Sequence, residues 1–145
     1  MYAFTQTVIN ALKLNSSIVC PVYPTHITGI NNPVFPCISL GRKGGGTDVH
    51  HIGPDFRFQI DVWSKGNSGV PGYTEVNEIY LEIKKTLEMT TSIYPAYDYL
   101  FTAALAAGII VAECIESNVD DELYEPSTRT YHLAAVYNVR TRTTI

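Results

Sequence analysis

Phe56, Phe58, Ile60 and Val62 alternate with Arg57, Gln59, Asp61 and Trp63. That two-residue period predicts a strand, "FRFQIDVWS", with one apolar face and one mostly polar face. The segment "TRTYHLAAVYNVRTR" repeats the pattern. Tyr131, Leu133, Ala135, Tyr137 and Val139 share one face; Thr130, His132, Ala134, Val136, Asn138 and Arg140 share the other. "FPCISLG" and "IIVAECIES" read as shorter strands. The helical period governs two other segments. Phe4, Val8, Ala11 and Leu12 form a stripe over 2–14, ended by Asn15, Ser16 and Ser17. Val76, Ile79, Tyr80, Ile83 and Leu87 form a second, with Glu75, Glu78, Glu82, Lys84 and Lys85 largely off it.

The remaining stretches punctuate these elements. "CPVYPTHITGINNPVFP" holds four prolines and must be mostly extended or turning. "KGNSGVPG" is a turn-rich link, and "NVDDELYEPS" reads as an acidic connection. "TTSIYPAYDYLFTAALAAG" fits neither period cleanly and predicts an irregular stretch with a helical turn before Gly108. The order is therefore α-β-β-α-β-β, within one domain spanning 1–145 and without internal repeats. It predicts an α+β fold, a four-stranded antiparallel sheet with the helices packed on its apolar face.

Composition narrows the function classes. Hydrophobic residues make up 46% of the 145 and charged residues 17%, which suits a real core and excludes general disorder. Fourteen acids against ten bases leave a net charge of -4, against a surface that grips phosphate backbones. Cys20, Cys37 and Cys114 are odd in number and widely spaced, with no CxxC pair for a metal or a redox couple. They predict buried free thiols in a reducing compartment. The N-terminus lacks the pattern of a signal peptide. "LFTAALAAGIIVAECI" is too short for a membrane span and contains Glu113. The expectation is a soluble protein made in the cytoplasm, with no membrane partner.

One segment, "GRKGGGTDVHHIGPDF", holds the densest candidate chemistry. A P-loop needs GxxxxGK[ST] leading into a helix, whereas Lys43 precedes the glycines and a strand follows. The dinucleotide fingerprint also needs a following helix. His50 and His51 are adjacent, and in an extended segment they point to opposite faces, which disfavours a chelate. A small metal-dependent enzyme using His50, His51 and Asp48 stays open as an alternative. No GxSxG elbow and no Cys/His signature is present, so no catalytic, metal or cofactor-binding residue is assigned. Three consecutive glycines bring conformational freedom. The reading is a mobile hairpin loop at about 41–55 that docks onto a partner, using Arg42, Lys43, Gly44, Gly45, Gly46, Thr47, Asp48, His50 and His51.

"NPVFPCISLG", the glycine-rich loop, "FRFQIDVWS", "EVNEIYLEIKKTL" and "TRTYHLAAVYNVRTR", in that order, resemble the tail terminator or tail-completion proteins of tailed bacteriophages. The resemblance covers most of the chain. It implies a homohexameric ring that caps the tail tube, stops its polymerisation and offers a docking surface to head-side neck proteins. It implies no cofactor, a place in the virion at the tail–neck junction, and DNA that passes through the channel without specific binding. Arg42 to His51 would be the family's long hairpin loop. The polar strand faces, Arg57, Gln59, Asp61, His132, Asn138 and Arg140, would be subunit or lumen surfaces. A neck or head-completion protein of the head–tail connector is the alternative within the same assembly.

Overall fold

The computed structural model describes residues 2–25, 27–41, 55–66, 69, 71–88, 99–126 and 129–142. The chain runs through helix α1 (Tyr2–Leu14), strand β1 (Val22–Tyr23) and a 3-10 turn (Ile27–Gly29). Then come β2 (Cys37–Gly41), β3 (Asp55–Ser64), α2 (Gly72–Leu87), α3 (Tyr99–Ala106), β4 (Ile110–Glu125) and β5 (Thr130–Arg142). The α+β class holds, and the details correct the expected sheet.

The sheet has five strands in the order β1-β2-β3-β5-β4. Its pairs are antiparallel except β1 with β2, which are parallel, so the sheet is mixed and not a four-stranded antiparallel one. β1 escaped the sequence pattern because it is two residues long and sits between Pro21 and Pro24. Proline cannot donate to a ladder, but its carbonyl can accept: Ile38 N–H bonds the Pro21 carbonyl at 2.9 Å.

The second correction is β4. Residues 118–125, expected to form an acidic connection, continue the strand to Glu125. Register shifts between Val111 and Glu113, Glu116 and Asn118, and Asp120 and Leu123 break the strand's alternation three times. Each bulge resets which side chains face which way, so a strict two-residue period cannot survive. β4 is also the sheet's last strand, where acidic side chains are tolerated and discourage unwanted pairing.

The third correction is α3, a full helix of eight residues where only a turn was expected. "YLFTAALA" has no polar stripe, so the amphipathic signature is weak. Its alanines favour helix intrinsically. Gly108, at φ 80°, ends it. Gly108 N–H bonds the Leu105 carbonyl at 3.0 Å and Ile109 N–H bonds the Ala104 carbonyl at 2.8 Å, a left-handed C-terminal cap.

All three helices lie on one face. Phe4, Val8 and Leu12 of α1, Val76 and Ile83 of α2, and Leu100 of α3 join Ile38, Ile60, Val62, Leu133 and Val139 in one core. Asn15 ties the end of α1 to α2, donating to Thr86 Oγ1 at 3.0 Å and to Glu82 Oε1 at 3.3 Å. Among the described residues the opposite face carries no α-helix. There Ile27 of the 3-10 turn, Cys37 and Trp63 form a small separate cluster with Tyr23 and Phe35.

Candidate functional site

The helix-free face gathers the polar side chains that the strand periods predicted. In the β3–β5 register Arg57 opposes Asn138, Gln59 opposes Val136, Asp61 opposes Ala134 and Trp63 opposes His132. In the β2–β3 register Ser39 opposes Asp61 and Cys37 opposes Trp63. Side chains directly opposite or diagonal across strands can touch. Three strands therefore converge on one cluster.

Asp61 is its centre and is fully buried. Its Oδ1 accepts from His132 Nε2 at 2.8 Å and from Gln59 Nε2 at 2.9 Å. Its Oδ2 has no hydrogen-bond partner among the described residues. The His132 ring lies flat against Trp63, with centroids 3.7 Å apart and planes 7° from parallel. Trp63 Nε1–H in turn donates to Ser39 Oγ at 3.0 Å. A buried carboxylate needs donors or an opposite charge, and the imidazole and the amide supply donors.

Ser, His and Asp stand close together here, yet the connectivity does not make a nucleophile. His132 Nε2 is engaged by the carboxylate, and Ser39 Oγ receives its proton contact from tryptophan. A catalytic serine needs the histidine as its base. No group of three or more His, Cys, Asp and Glu arranged for a metal exists among the described residues. The cluster is a hydrogen-bonded lock between strands.

Other polar groups are similarly engaged. Tyr80 Oη donates to Glu116 and lies 3.0 Å from Tyr137 Oη, and burial pushes both phenols well above the usual tyrosine range. A groove of about 340 Å³ between the start of the extended segment and α2 is lined by Ser17, Val19, Cys20, Glu75, Glu78 and Glu82. Glu75 accepts from Ser64 Oγ, and Glu82 pairs with Lys85 at 3.0 Å. Burial raises the Cys20 thiol to about 11 and the Cys37 thiol to about 12, and Cys114 further still. Thiols held protonated are poor nucleophiles and poor metal ligands.

The predicted surface residues thus divide. Arg57, Asn138 and Arg140 are exposed, Gln59 and His132 are half-buried, and Asp61 is interior. Asp61 is fully buried in the chain, which corrects its expected place on a subunit or lumen surface. Trp63 and Ser39 belong to the cluster too. The period of β3 placed Trp63 on this face; the alternation of Cys37 and Ser39 in the short strand β2 was the available signal for Ser39. The expected docking arm, Arg42, Lys43, Gly44, Gly45, Gly46, Thr47, Asp48, His50 and His51, lies outside the described residues. The strands on either side of it, β2 and β3, are antiparallel neighbours.

No protein-family model matches the chain, and no curated protein sequence matches it. Among the described residues no helix is long and apolar enough to cross a membrane.

Proposed function

We propose that the chain is a tail terminator of a tailed bacteriophage: a non-enzymatic subunit of a hexameric ring that caps the tail tube. In this reading the ring ends tube polymerisation and presents a docking surface to the neck. DNA passes its channel unbound, in keeping with the acidic balance of the chain. Arg42 to His51 acts as the arm that docks onto the tube or the next subunit, and Arg57, Asn138 and Arg140 contribute subunit or lumen surface.

The observation that carries this reading is the use made of the polar groups on the helix-free face. They lock strands to one another, through Asp61, His132, Trp63 and Ser39, and offer no nucleophile–base pair. A rigid sheet with helices on one side and an antiparallel β2–β3 pair suits a part that works by shape and docking. Ring assembly from one subunit needs two different, complementary faces; the sheet's two edges differ, which is compatible with that need.

The test is capping. Purified protein added to isolated growing tail tubes is expected to halt their elongation and to decorate one end. The double substitution His50→Ala with His51→Ala is expected to keep that activity if the histidines hold no metal. Tubes that lengthen unchanged in the presence of the protein contradict the reading. Decoration of the head-side connector in place of the tube end moves the protein to the neck.

A further inference from the structure

The segment after α1 and one flank of α2 form the walls of the 340 Å³ groove, and Asn15 holds the two walls together. Its side-chain carbonyl accepts from Ser17 N–H at 3.0 Å, and its backbone carbonyl accepts from Ile18 N–H at 3.0 Å. Its side-chain amide donates to Thr86 and Glu82 of α2. Ile18 and Ile79 pack onto the core beneath, so the floor is apolar and fixed. Pro36 also lines the groove, and Val19 beside it is 90% exposed. Such a preset, mostly apolar recess suits occupation by an apolar body, because little ordering remains to be done on contact.

The charge of one wall narrows the occupant. Glu75, Glu78 and Glu82 follow one another at i, i+3 and i+7 along α2, and all three line the groove. Among the described residues no Lys or Arg lines it. Glu75 accepts from Ser64 Oγ, and Glu82 is held by Asn15 and Lys85. Glu78, between them, is exposed and has no hydrogen bond or ion pair among the described residues. The groove therefore offers an apolar bed with one open carboxylate beside it. A divalent cation wants a cage of oxygens and gains nothing from Ile18, Pro36 and Ile79. A phosphate backbone is repelled by the carboxylates. A partner strand cannot extend the sheet here, because β1 at this edge is two residues long between Pro21 and Pro24, which lack a ladder's N–H. An arginine matches both halves. Its methylene stem covers apolar surface, and its guanidinium presents two parallel N–H donors to one carboxylate.

We propose that this groove is the docking site for an arginine side chain presented by a partner protein. The stem lies over Ile18 and Ile79, and the guanidinium pairs bidentately with Glu78. The carboxylates on either side, Glu75 and Glu82, add attraction at longer range. The inference stands apart from the ring reading, since it rests on the groove alone.

The test is an NMR titration of the 15N-labelled full chain with a capped pentapeptide carrying arginine between two valines. Saturable shifts are expected at the amides of Ile18, Val19, Glu78 and Ile79, with affinity falling as salt rises. Peptides with citrulline, which keeps the shape but loses the charge, or with lysine in place of the arginine should bind about tenfold more weakly or worse. Glu78→Gln should weaken the arginine peptide by a similar factor, and its amide dispersion shows that the fold is intact. Glu125→Gln, on the far edge strand, should leave binding unchanged. No saturable shifts in the wild type overturn the proposal. Equal binding of the citrulline or lysine peptide overturns it too, since the fork would then be irrelevant. So does magnesium alone giving the same shifts, which would make the groove a cation site. Concentration-dependent broadening of those amides without peptide, relieved by Glu78→Gln, would make the occupant a second copy and likewise overturn it.

Discussion

At Asp61 a carboxylate is enclosed by side chains from three strands, and its neighbours set the cost of disturbing it. His132→Ala removes the donor to Oδ1 and leaves Gln59 as the carboxylate's only partner among the described residues. The expected loss is about 1–3 kcal/mol, the penalty for an under-satisfied buried polar group, seen as a lower urea midpoint. Trp63 is the chain's single tryptophan and stacks on His132. The same substitution should therefore shift its emission to the red, while an unchanged spectrum would contradict the stacked geometry. The thiols give a pH prediction. Burial raises Cys20 from 9.0 to about 11 and Cys37 from 9.0 to about 12, so both favour the protonated form in the folded state. Their contribution is fully present below pH 9.0 and is lost as pH climbs through those raised values. The buried phenols Tyr80 and Tyr137 shift in the same direction. Urea midpoints should stay level with respect to these groups just below pH 9.0 and fall above it; a rise there would contradict the burial. The sequence placed Asp61, His132 and Trp63 on one strand face each, because the two-residue period fixes orientation. It could not show that Asp61 is interior, since that depends on which strands become neighbours.

Among the elements, α3 tests whether a stretch without amphipathic signature is integral to the fold. Leu100 is fully buried in the common core. Leu100→Ala should cost about 2–5 kcal/mol, the range for truncating a core leucine, against almost nothing if α3 were peripheral. Gly72 tests the junction of α2 with the sheet. A Cβ there would collide with the Tyr131 ring and crowd Gly66 N at 3.1 Å and Ser64 O at 3.2 Å. Gly72→Ala should destabilise by about 1–3 kcal/mol despite alanine's better helix propensity, as overpacking does; a stabilised variant would contradict the close approach. α1, β3 and β5 were legible because each keeps one period over its whole length. α3 was not, because "YLFTAALA" carries apolar residues on its exposed side as well as its buried one, Leu105 being 53% exposed. β4 was half legible: "IIVAECIES" reads as strand, and the bulges with acids between residues 117 and 125 then imitate a connection. β1 is too short to show any period and owes its place to β2.

At the scale of the whole molecule, the sheet has two unlike faces and two unlike edges. One face is buried under three helices and the other is locked by the Asp61 cluster. One edge ends in the two-residue β1 and the other in the long acidic β4. The α+β class was readable from the order of periods. The mixed sheet was not, because parallel pairing of β1 with β2 leaves no trace in hydrophobic alternation. The function proposed here is a property of assembled copies, and the most direct measurement looks at assembly. Negative-stain microscopy of the purified protein across a concentration series is predicted to show closed six-fold rings with an open centre. Monomers at every concentration, together with failure to cap isolated tail tubes, would contradict the terminator reading.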